Sequence, residues 1–307
     1  MSTAATTAMG ASRAGALLVA MRPYQWPKNL IVFAALLFSA GEAWTIDDPG
    51  AWWPLLWKSA ALFCCWCLAA SATYLINDIR DREADQLHPR KRFRPLAAGA
   101  LSPATAWPAA IVLLAVALPL ALAIDSTAAG ILAGYSALMV AYSIGLKRVA
   151  VLDVLILSAG VVARAVSGAA GIDVEISPWL YICSSFGAFF FASSKRWAEF
   201  RQLGPDAALH RPSLAQYNGA LLNQMTVISA GGALLAYALY TIQSEHVPAN
   251  GAMAATIPFV AFAVFRYLLL LDGPRKGDAP DRILFTDLPI LIAVAGFGVT
   301  AVAVLLS

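Results

Sequence analysis

Charged side chains are scarce in this sequence. Asp, Glu, Lys and Arg make up 13% of its 307 residues, whereas 60% of the residues are hydrophobic. A chain of this composition cannot cover itself with a polar exterior, so it is not a soluble protein. The sequence instead predicts an all-α integral membrane protein in the lipid bilayer. Its net charge of +3 does not indicate nucleic-acid binding, because the basic residues lie in short segments between apolar runs.

The sequence also lacks the usual metal and disulfide patterns. Its four cysteines lie in apolar runs, and Cys64-Cys65-Trp66-Cys67 matches no common zinc-ligand spacing. A disulfide framework is not indicated, and we find no glycine-rich loop of the nucleotide-binding type. The Ser-, Thr- and Ala-rich start predicts disorder over residues 1–20. One polytopic membrane domain is expected over residues 21–307.

Nine apolar runs are long enough to cross a bilayer. They cover residues 29–46, 55–77, 104–124, 128–146, 151–171, 178–198, 220–242, 253–271 and 283–306. The loops on one side of this map contain acidic residues and no Lys or Arg. All but three of the 21 Lys and Arg lie on the other side, with the N-terminus. The positive-inside rule therefore predicts a multi-pass protein of the plasma (inner) membrane, with the N-terminus in the cytoplasm and the C-terminus outside.

The densest charge follows the second run. Asp78, Asp81 and Asp85 are spaced i, i+3, i+7, so a continuing helix would place the three carboxylates on one face. Hard carboxylate oxygens with an open side suit Mg²⁺, which commonly bridges one or two carboxylates to substrate phosphates. Basic residues that could bind the same phosphates come next: Lys91, Arg92 and Arg94. The alternative is a solvated loop at the membrane surface, although three aligned carboxylates would serve no purpose in membrane orientation.

Other polar candidates lie at the same predicted cytoplasmic face. The segment before the first run offers Arg22, Lys28 and Asn29, either to a polar ligand or as an interfacial anchor. Further candidates stand at the ends of later runs: Tyr142 and Lys147, Asp153, and Lys195, Arg196 and Glu199. Lys195 and Glu199 are also spaced as a simple i, i+4 surface pair. Arg164 lies deep within the fifth run and predicts a polar cavity that reaches into the membrane.

The motif Asn77-Asp78-x-x-Asp81-x-x-x-Asp85 after a second predicted span resembles the first aspartate motif of the UbiA superfamily of intramembrane prenyltransferases. The resemblance implies a bundle of nine transmembrane helices around a central cavity open to the cytoplasmic face. It also implies a site where Mg²⁺ and a diphosphate bind. Four further segments are similar to the phosphoribosyltransferase branch of that superfamily: Arg22-Pro-Tyr-Gln-Trp-x-Lys28-Asn29, Ser71-Ala72-x-Tyr74-Leu-Ile-Asn77-Asp78, His88-Pro-x-Lys91-Arg92-Phe93-Arg94-Pro95 and Lys195-Arg196-Trp-Ala-Glu199.

Members of that branch transfer 5-phosphoribose from phosphoribosyl pyrophosphate (PRPP) to a polyprenyl phosphate such as decaprenyl phosphate, and they supply arabinose donors for cell-wall polysaccharide. Ordinary superfamily members carry a second aspartate-rich motif between spans six and seven. This chain has Lys195-Arg196-x-x-Glu199 there, which favours a donor with a separate phosphate over a prenyl diphosphate.

The resemblance implies roles for the candidate residues. Asp78, Asp81 and Asp85 would hold Mg²⁺ against the pyrophosphate of PRPP, with Asn77 as a secondary ligand, and Lys91, Arg92 and Arg94 would bind donor phosphates. The remaining candidates would bind the 5-phosphate, the lipid phosphate or the ribose, or orient the groups that do: Arg22, Lys28, Asn29, Tyr74, Tyr142, Lys147, Asp153, Arg164, Lys195, Arg196 and Glu199.

Two other functions stay open. One is a prenyltransferase that moves a polyprenyl chain from its diphosphate to an aromatic or other small acceptor. The other is a non-catalytic lipid transporter, which the gathering of charges at one face disfavours. Helix faces rich in Gly and Ala would allow a homo-oligomer.

Overall fold

The computed structural model describes residues 12–41, 43–89, 91–175, 178–204, 212–244, 247–248, 250–273, 283–284 and 286–305. The α-helices in this part of the chain are α1 (Arg13–Met21), α2 (Ala34–Phe38), α3 (Pro49–Arg80), α4 (Arg82–Leu87), α5 (Pro103–Ile124), α6 (Ser126–Ile144), α7 (Leu152–Ile172), α8 (Pro178–Leu203), α9 (Gly219–Gln243), α10 (Ile257–Asp272) and α11 (Leu288–Leu305). Shorter 3₁₀ helices cover Pro23–Phe33, Lys91–Phe93, Leu146–Arg148, Pro212–Gln216 and Ala252–Thr256. The predicted all-α class is confirmed.

Within the described residues, six helices are long and apolar enough to cross a membrane. They are Pro49–Arg80, Pro103–Ile124, Ser126–Ile144, Leu152–Ile172, Gly219–Gln243 and Ala252–Asp272, and Leu288–Val304 is a shorter apolar helix. The predicted run 178–198 coincides with α8, which continues to Leu203. The chain is therefore an integral membrane protein.

The first predicted run, 29–46, does not form one long α-helix. Its start belongs to the 3₁₀ helix Pro23–Phe33, which contains Pro27, and only the five residues of α2 follow as α-helix. Proline lacks the N–H that an α-helix would use and its ring crowds the preceding turn. Disorder over residues 1–20 is also wrong for its second part, because α1 begins at Arg13; residues 1–11 lie outside the described part of the chain.

Several helices begin at a side chain that caps them. Ser102 accepts from the Thr105 amide at the start of α5, Asp125 from the Ala128 amide at the start of α6, and Asn218 from the Leu221 amide at the start of α9. Each cap satisfies one of the amides that the first helical turn leaves without a partner. These local signals fix where the long apolar helices begin.

The chain divides into two compact units. Unit 1 comprises residues 1–36, 53–147 and 163–174, and unit 2 comprises residues 37–52, 148–162 and 175–307. A core around Leu62, Trp66 and Leu132 belongs to unit 1, where α5 packs along α6. In unit 2, α8 packs along most of α9, and α10 packs against α11. That residues 21–307 act as one catalytic domain stays a prediction.

Candidate functional site

The aspartate motif of unit 1 lies where one helix ends and another begins. Helix α3 ends at Arg80, Asp81 interrupts it with φ −93° and ψ 3°, and α4 starts at Arg82. The Asp81 amide still donates to the Asn77 carbonyl at 2.9 Å, and the Asp85 amide donates to the Asp81 carbonyl at 2.8 Å. The break is therefore slight, and the motif nearly keeps the helical spacing that the sequence predicts.

Asp78 is the most buried carboxylate of the motif, with 2% of its surface exposed. Its Oδ1 accepts from Arg22 Nη2 at 2.5 Å and from Arg94 Nη1 at 3.2 Å. Arg22 has a left-handed backbone (φ 56°), which ends α1, and its guanidinium lies 4.9 Å from the centre of the Tyr74 ring. Burial acts against the Arg22 charge, but the Asp78 carboxylate, together with smaller contributions from Tyr24 and Tyr74, raises the arginine pKa.

The other two aspartates are paired as well. Arg94 Nη1 also donates to Asp85 Oδ2 at 2.6 Å, so a single guanidinium nitrogen joins the first and last aspartates of the motif. Asp81 forms an ion pair with Lys147, which comes from the segment after α6. Burial raises the pKa of the Asp85 carboxyl, while the charge of Arg94 opposes this shift.

The predicted group of three metal-binding carboxylates is not assembled here. In the described part of the chain, no three His, Cys, Asp or Glu side chains come together as ligands for one ion. Each aspartate instead forms an ion pair with a basic side chain. Asp78 and Asp85 share Arg94, whereas Asp81 pairs with Lys147.

One oxygen of the motif nevertheless suits a cation. Asp78 Oδ2 is buried and has no hydrogen-bond partner among the residues that the structure describes. Leaving a buried carboxylate oxygen without a partner is costly. Because Mg²⁺ often needs only one or two protein carboxylates beside substrate oxygens, this atom and the neighbouring Asp81 fit such an ion.

The remaining predicted residues of unit 1 lie at different depths. Asn77 Oδ1 accepts from the Ser143 hydroxyl at 3.3 Å. Tyr142, which precedes Ser143 in the sequence, is buried. Arg92 is exposed and stacks on the Phe93 ring at 4.9 Å. Lys28 is also exposed, and Lys91 is half-buried. The first motif and its basic neighbours therefore combine buried anchors with exposed cations.

Arg164, for which the sequence predicts a polar cavity, is buried among polar and aromatic partners in unit 1, and the cavity itself stays a prediction. Arg164 is 7% exposed, its Nε donates to Asn29 Oδ1 at 2.6 Å, and its Nη2 donates to the Tyr135 hydroxyl at 3.0 Å. The guanidinium also lies 4.9 Å and 4.7 Å from the ring centres of Trp66 and Tyr135. The Asn29 amide oxygen, the Tyr135 hydroxyl and two aromatic faces thus stabilise the buried cation.

Unit 2 contains a second polar cluster, centred on Asp153. This carboxylate is fully buried (0% exposed), and its Oδ2 accepts from Arg196 Nε at 2.7 Å. Arg196 Nη1 donates to Glu199 Oε2 at 3.2 Å, so three of the predicted site residues contact one another. Lys195, on the neighbouring position of α8, lies with its Nζ 5.9 Å from the centre of the Phe191 ring.

Two members of this cluster were missed by the sequence reasoning. Ser213 donates to Asp153 Oδ2 at 3.0 Å, and the Tyr217 hydroxyl donates to Asp153 Oδ1 at 2.8 Å. Both lie about 60 residues from Asp153 along the chain, in and after a short 3₁₀ helix that has no distinctive motif. No sequence signal pointed to them.

Buried, ion-paired clusters on apolar helices are typical of membrane proteins with a polar functional site. The chain belongs to the UbiA prenyltransferase family, whose sequence model matches residues 30–288. The fold agrees, since a UbiA homolog from Archaeoglobus fulgidus bound to DMAPP and Mg²⁺ superposes with a TM-score of 0.71 at 20% identity, over 94% of this chain and 98% of that one.

Curated relatives are closer in sequence. A decaprenyl-phosphate phosphoribosyltransferase of Mycolicibacterium smegmatis is 36% identical over 88% of this chain and 86% of its own length. A protein of the same name from Mycobacterium tuberculosis (strain CDC 1551 / Oshkosh) is 33% identical over 99% of both chains. The predicted membership of the superfamily is confirmed, and the named relatives agree with the predicted branch.

Proposed function

We propose that this protein transfers 5-phosphoribose from PRPP to a polyprenyl phosphate such as decaprenyl phosphate, with release of pyrophosphate. The near-full-length similarity to phosphoribosyltransferases of that name supports the substrates. The structural observation that carries the proposal is the buried cluster around Asp78, which joins carboxylates to cations that suit phosphate groups.

The charges of this cluster explain why a metal ion belongs to the proposal. Three cationic side chains (Arg22, Arg94 and Lys147) face three carboxylates, so the network is balanced by itself. A pyrophosphate group brings several negative charges into it. Mg²⁺, held by Asp78 and Asp81 with Asp85 and Asn77 nearby, would supply charge neutralisation for the leaving pyrophosphate.

The chain's own residues then act mainly by positioning. Arg22 and Arg94 can turn one guanidinium edge to a phosphate while Asp78 keeps them oriented. Lys91 and Arg92 would add positive charge at the rim. As pyrophosphate leaves C1 of the ribose, the anionic oxygen of the lipid phosphate forms the new bond to that carbon. A phosphate monoester is already ionised near neutral pH, so this step needs no strong protein base.

Unit 2 offers a second group for a phosphate. Arg196 is fixed by Asp153, which accepts from Nε, and by Glu199, which accepts from Nη1. We assign Arg196 and Lys195 to the 5-phosphate of the donor or to the lipid phosphate, and Asp153 to their orientation. A buried, already paired Asp153 favours orientation over contact with the ribose.

The finer architecture is proposed with the function. Nine membrane-crossing segments would surround a central cavity that opens to the cytoplasm, with the C-terminus outside, and the distribution of Lys and Arg supports this orientation. The apolar chain of the lipid would leave laterally between helices. A homo-oligomer stays a prediction.

The test is transfer of label from ribose-labelled PRPP to polyprenyl phosphate by purified protein in detergent with Mg²⁺. We expect label in the organic phase and its loss with EDTA. Asp78→Asn should lower the rate by about 100-fold or more, whereas Asp47→Asn, at an exposed position, should leave it unchanged.

Absence of lipid label, together with consumption of a prenyl diphosphate in the presence of aromatic acids, would replace this function by prenyl transfer. Lipid flux across proteoliposomes without turnover would instead indicate a transporter. Normal activity of an Asp78→Asn, Asp81→Asn double variant would refute the assigned metal ligands.

A further inference from the structure

The Asp153 cluster contains more hydrogen bonds than an ion pair needs. Besides Arg196, the carboxylate accepts from Ser213 on the same oxygen and from Tyr217 on the other. A fully buried carboxylate is stable only when its oxygens are well satisfied, and its position is then fixed by whatever satisfies them. The placement of Asp153 therefore depends on the segment 213–217.

Tyr217 is held firmly at both ends. Its ring belongs to an apolar cluster with Val154, Leu214 and Leu222. Its hydroxyl accepts from the Val151 amide at 2.5 Å while it donates to Asp153. Burial, and then the hydrogen bond to Asp153, raise the pKa of the Tyr217 phenol, so the hydroxyl stays protonated as a donor.

The backbone conformation beside Asp153 also indicates that the segment 213–217 fixes the position of this carboxylate. Val151 has φ 67°, a conformation that is unfavourable for a β-branched residue. Such strain persists only when surrounding contacts enforce it. The Tyr217 hydroxyl accepts a hydrogen bond from the Val151 amide. Gln216 Nε2 donates to the nearby Arg148 carbonyl at 2.9 Å. The segment 212–217 thus clamps the start of α7 in the conformation that presents Asp153 to Arg196.

We propose that Tyr217 and Ser213 are positioning residues for Arg196, and that they act through the Asp153 carboxylate. This inference rests on the proposed function, in which Arg196 binds a substrate phosphate. Asp153 holds the Nε edge of the guanidinium and Glu199 holds Nη1, so the direction of Nη2 is set by how firmly Asp153 is held. Without the Tyr217 donor, Asp153 and Arg196 would move together and the phosphate would bind less tightly.

The test is a double-mutant cycle on the phosphoribosyl transfer. Tyr217→Phe keeps the ring and removes the donor, and it should raise the apparent KM for one phosphorylated substrate about tenfold, with kcat changed by less than about twofold. In an Arg196→Lys background the same change should alter KM by less than about twofold, because the group that it positions is gone. Tyr181→Phe, which removes an exposed hydroxyl of the same unit, serves as the matched control.

Equal effects of Tyr217→Phe in both backgrounds would overturn the inference, since they would show a role that does not pass through Arg196. A loss of kcat with unchanged KM would overturn it too. If Tyr217→Phe proves unstable in a thermal unfolding scan, Ser213→Ala repeats the cycle with the same expected pattern. An inactive wild-type protein would refute the proposed function and this inference together, whereas an active wild type with an additive cycle would refute this inference alone.

Discussion

The substitution Asp153→Asn tests how unit 2 is held together. It keeps the size of the side chain and removes its charge. If the amide oxygen faces Arg196 and Ser213, the amide nitrogen faces the Tyr217 hydroxyl, which already accepts from the Val151 amide. If the amide is turned the other way, its nitrogen faces the donor Nε of Arg196. Either orientation leaves at least one donor badly placed.

The larger destabilising effect of Asp153→Asn comes from Arg196, which loses its charged partner. Both members of the pair are buried, with 4% of Arg196 and 0% of Asp153 exposed. Removing one partner of a buried pair costs about 3–5 kcal/mol, because the other charge is left in a poorly solvated place. Glu199 at 3.2 Å retains part of the compensation, so we expect a loss near the lower end, about 3 kcal/mol. With an unfolding entropy of about 2.1 cal/mol/K per residue, that corresponds to a fall in Tm of about 5 °C for this chain.

The assay is thermal unfolding of the purified protein in detergent, followed by far-UV circular dichroism. Asp47→Asn, at an exposed site, is the matched control and should unfold like the wild type. Replacing both partners, as Asp153→Asn with Arg196→Gln, should be less harmful than the two single losses added together, because no buried charge remains unpaired. A Tm for Asp153→Asn within about 2 °C of wild type, or strict additivity in the double variant, would refute the reasoning.

Three further outcomes follow from individual contacts. Gly168→Ala should greatly lower the yield of monodisperse protein in size-exclusion chromatography, because its Cβ would lie 2.0 Å from the Val32 carbonyl oxygen; Gly134→Ala, with open space around it, should be tolerated. Asp125→Ala removes the N-cap of α6 and should cost about 1 kcal/mol, seen as a lower Tm, while Asp125→Asn should retain most of the stability. Lys195→Ala should raise the apparent KM for PRPP or for the lipid phosphate, and unchanged KM for both substrates would return Lys195 to a surface role.

Much of the fold followed from local sequence features. The predicted run 104–124 coincides with Pro103–Ile124, and the run 220–242 coincides with Gly219–Gln243. Long apolar runs have few alternatives to a helix, because a bilayer leaves backbone polar groups no other partners. The failure at 29–46 is also local in origin, since Pro27 favours a short 3₁₀ segment over a long α-helix.

The candidate site was only partly predictable. Three aspartates at helical spacing indicated a cation site, yet the structure pairs each with a basic side chain. Arg22 lies 56 residues from Asp78, and Lys147 lies 66 residues from Asp81. A burial pattern does not specify which cation meets which carboxylate. The depth of Arg164 in an apolar run was visible in the sequence, but its contacts with two aromatic rings and the Asn29 amide were not.

The sequence by itself determined that this is an integral membrane protein of the all-α class, and it determined the family motif and the positions of most helices. These features depend on composition and on spacing along the chain. Only the tertiary structure decided how the charges are paired, that Asp78 Oδ2 has no hydrogen-bond partner among the described residues, and that Ser213 and Tyr217 donate to Asp153. Those features depend on contacts between distant segments and on backbone conformations, such as those of Arg22 and Val151, that no local pattern of residues specifies.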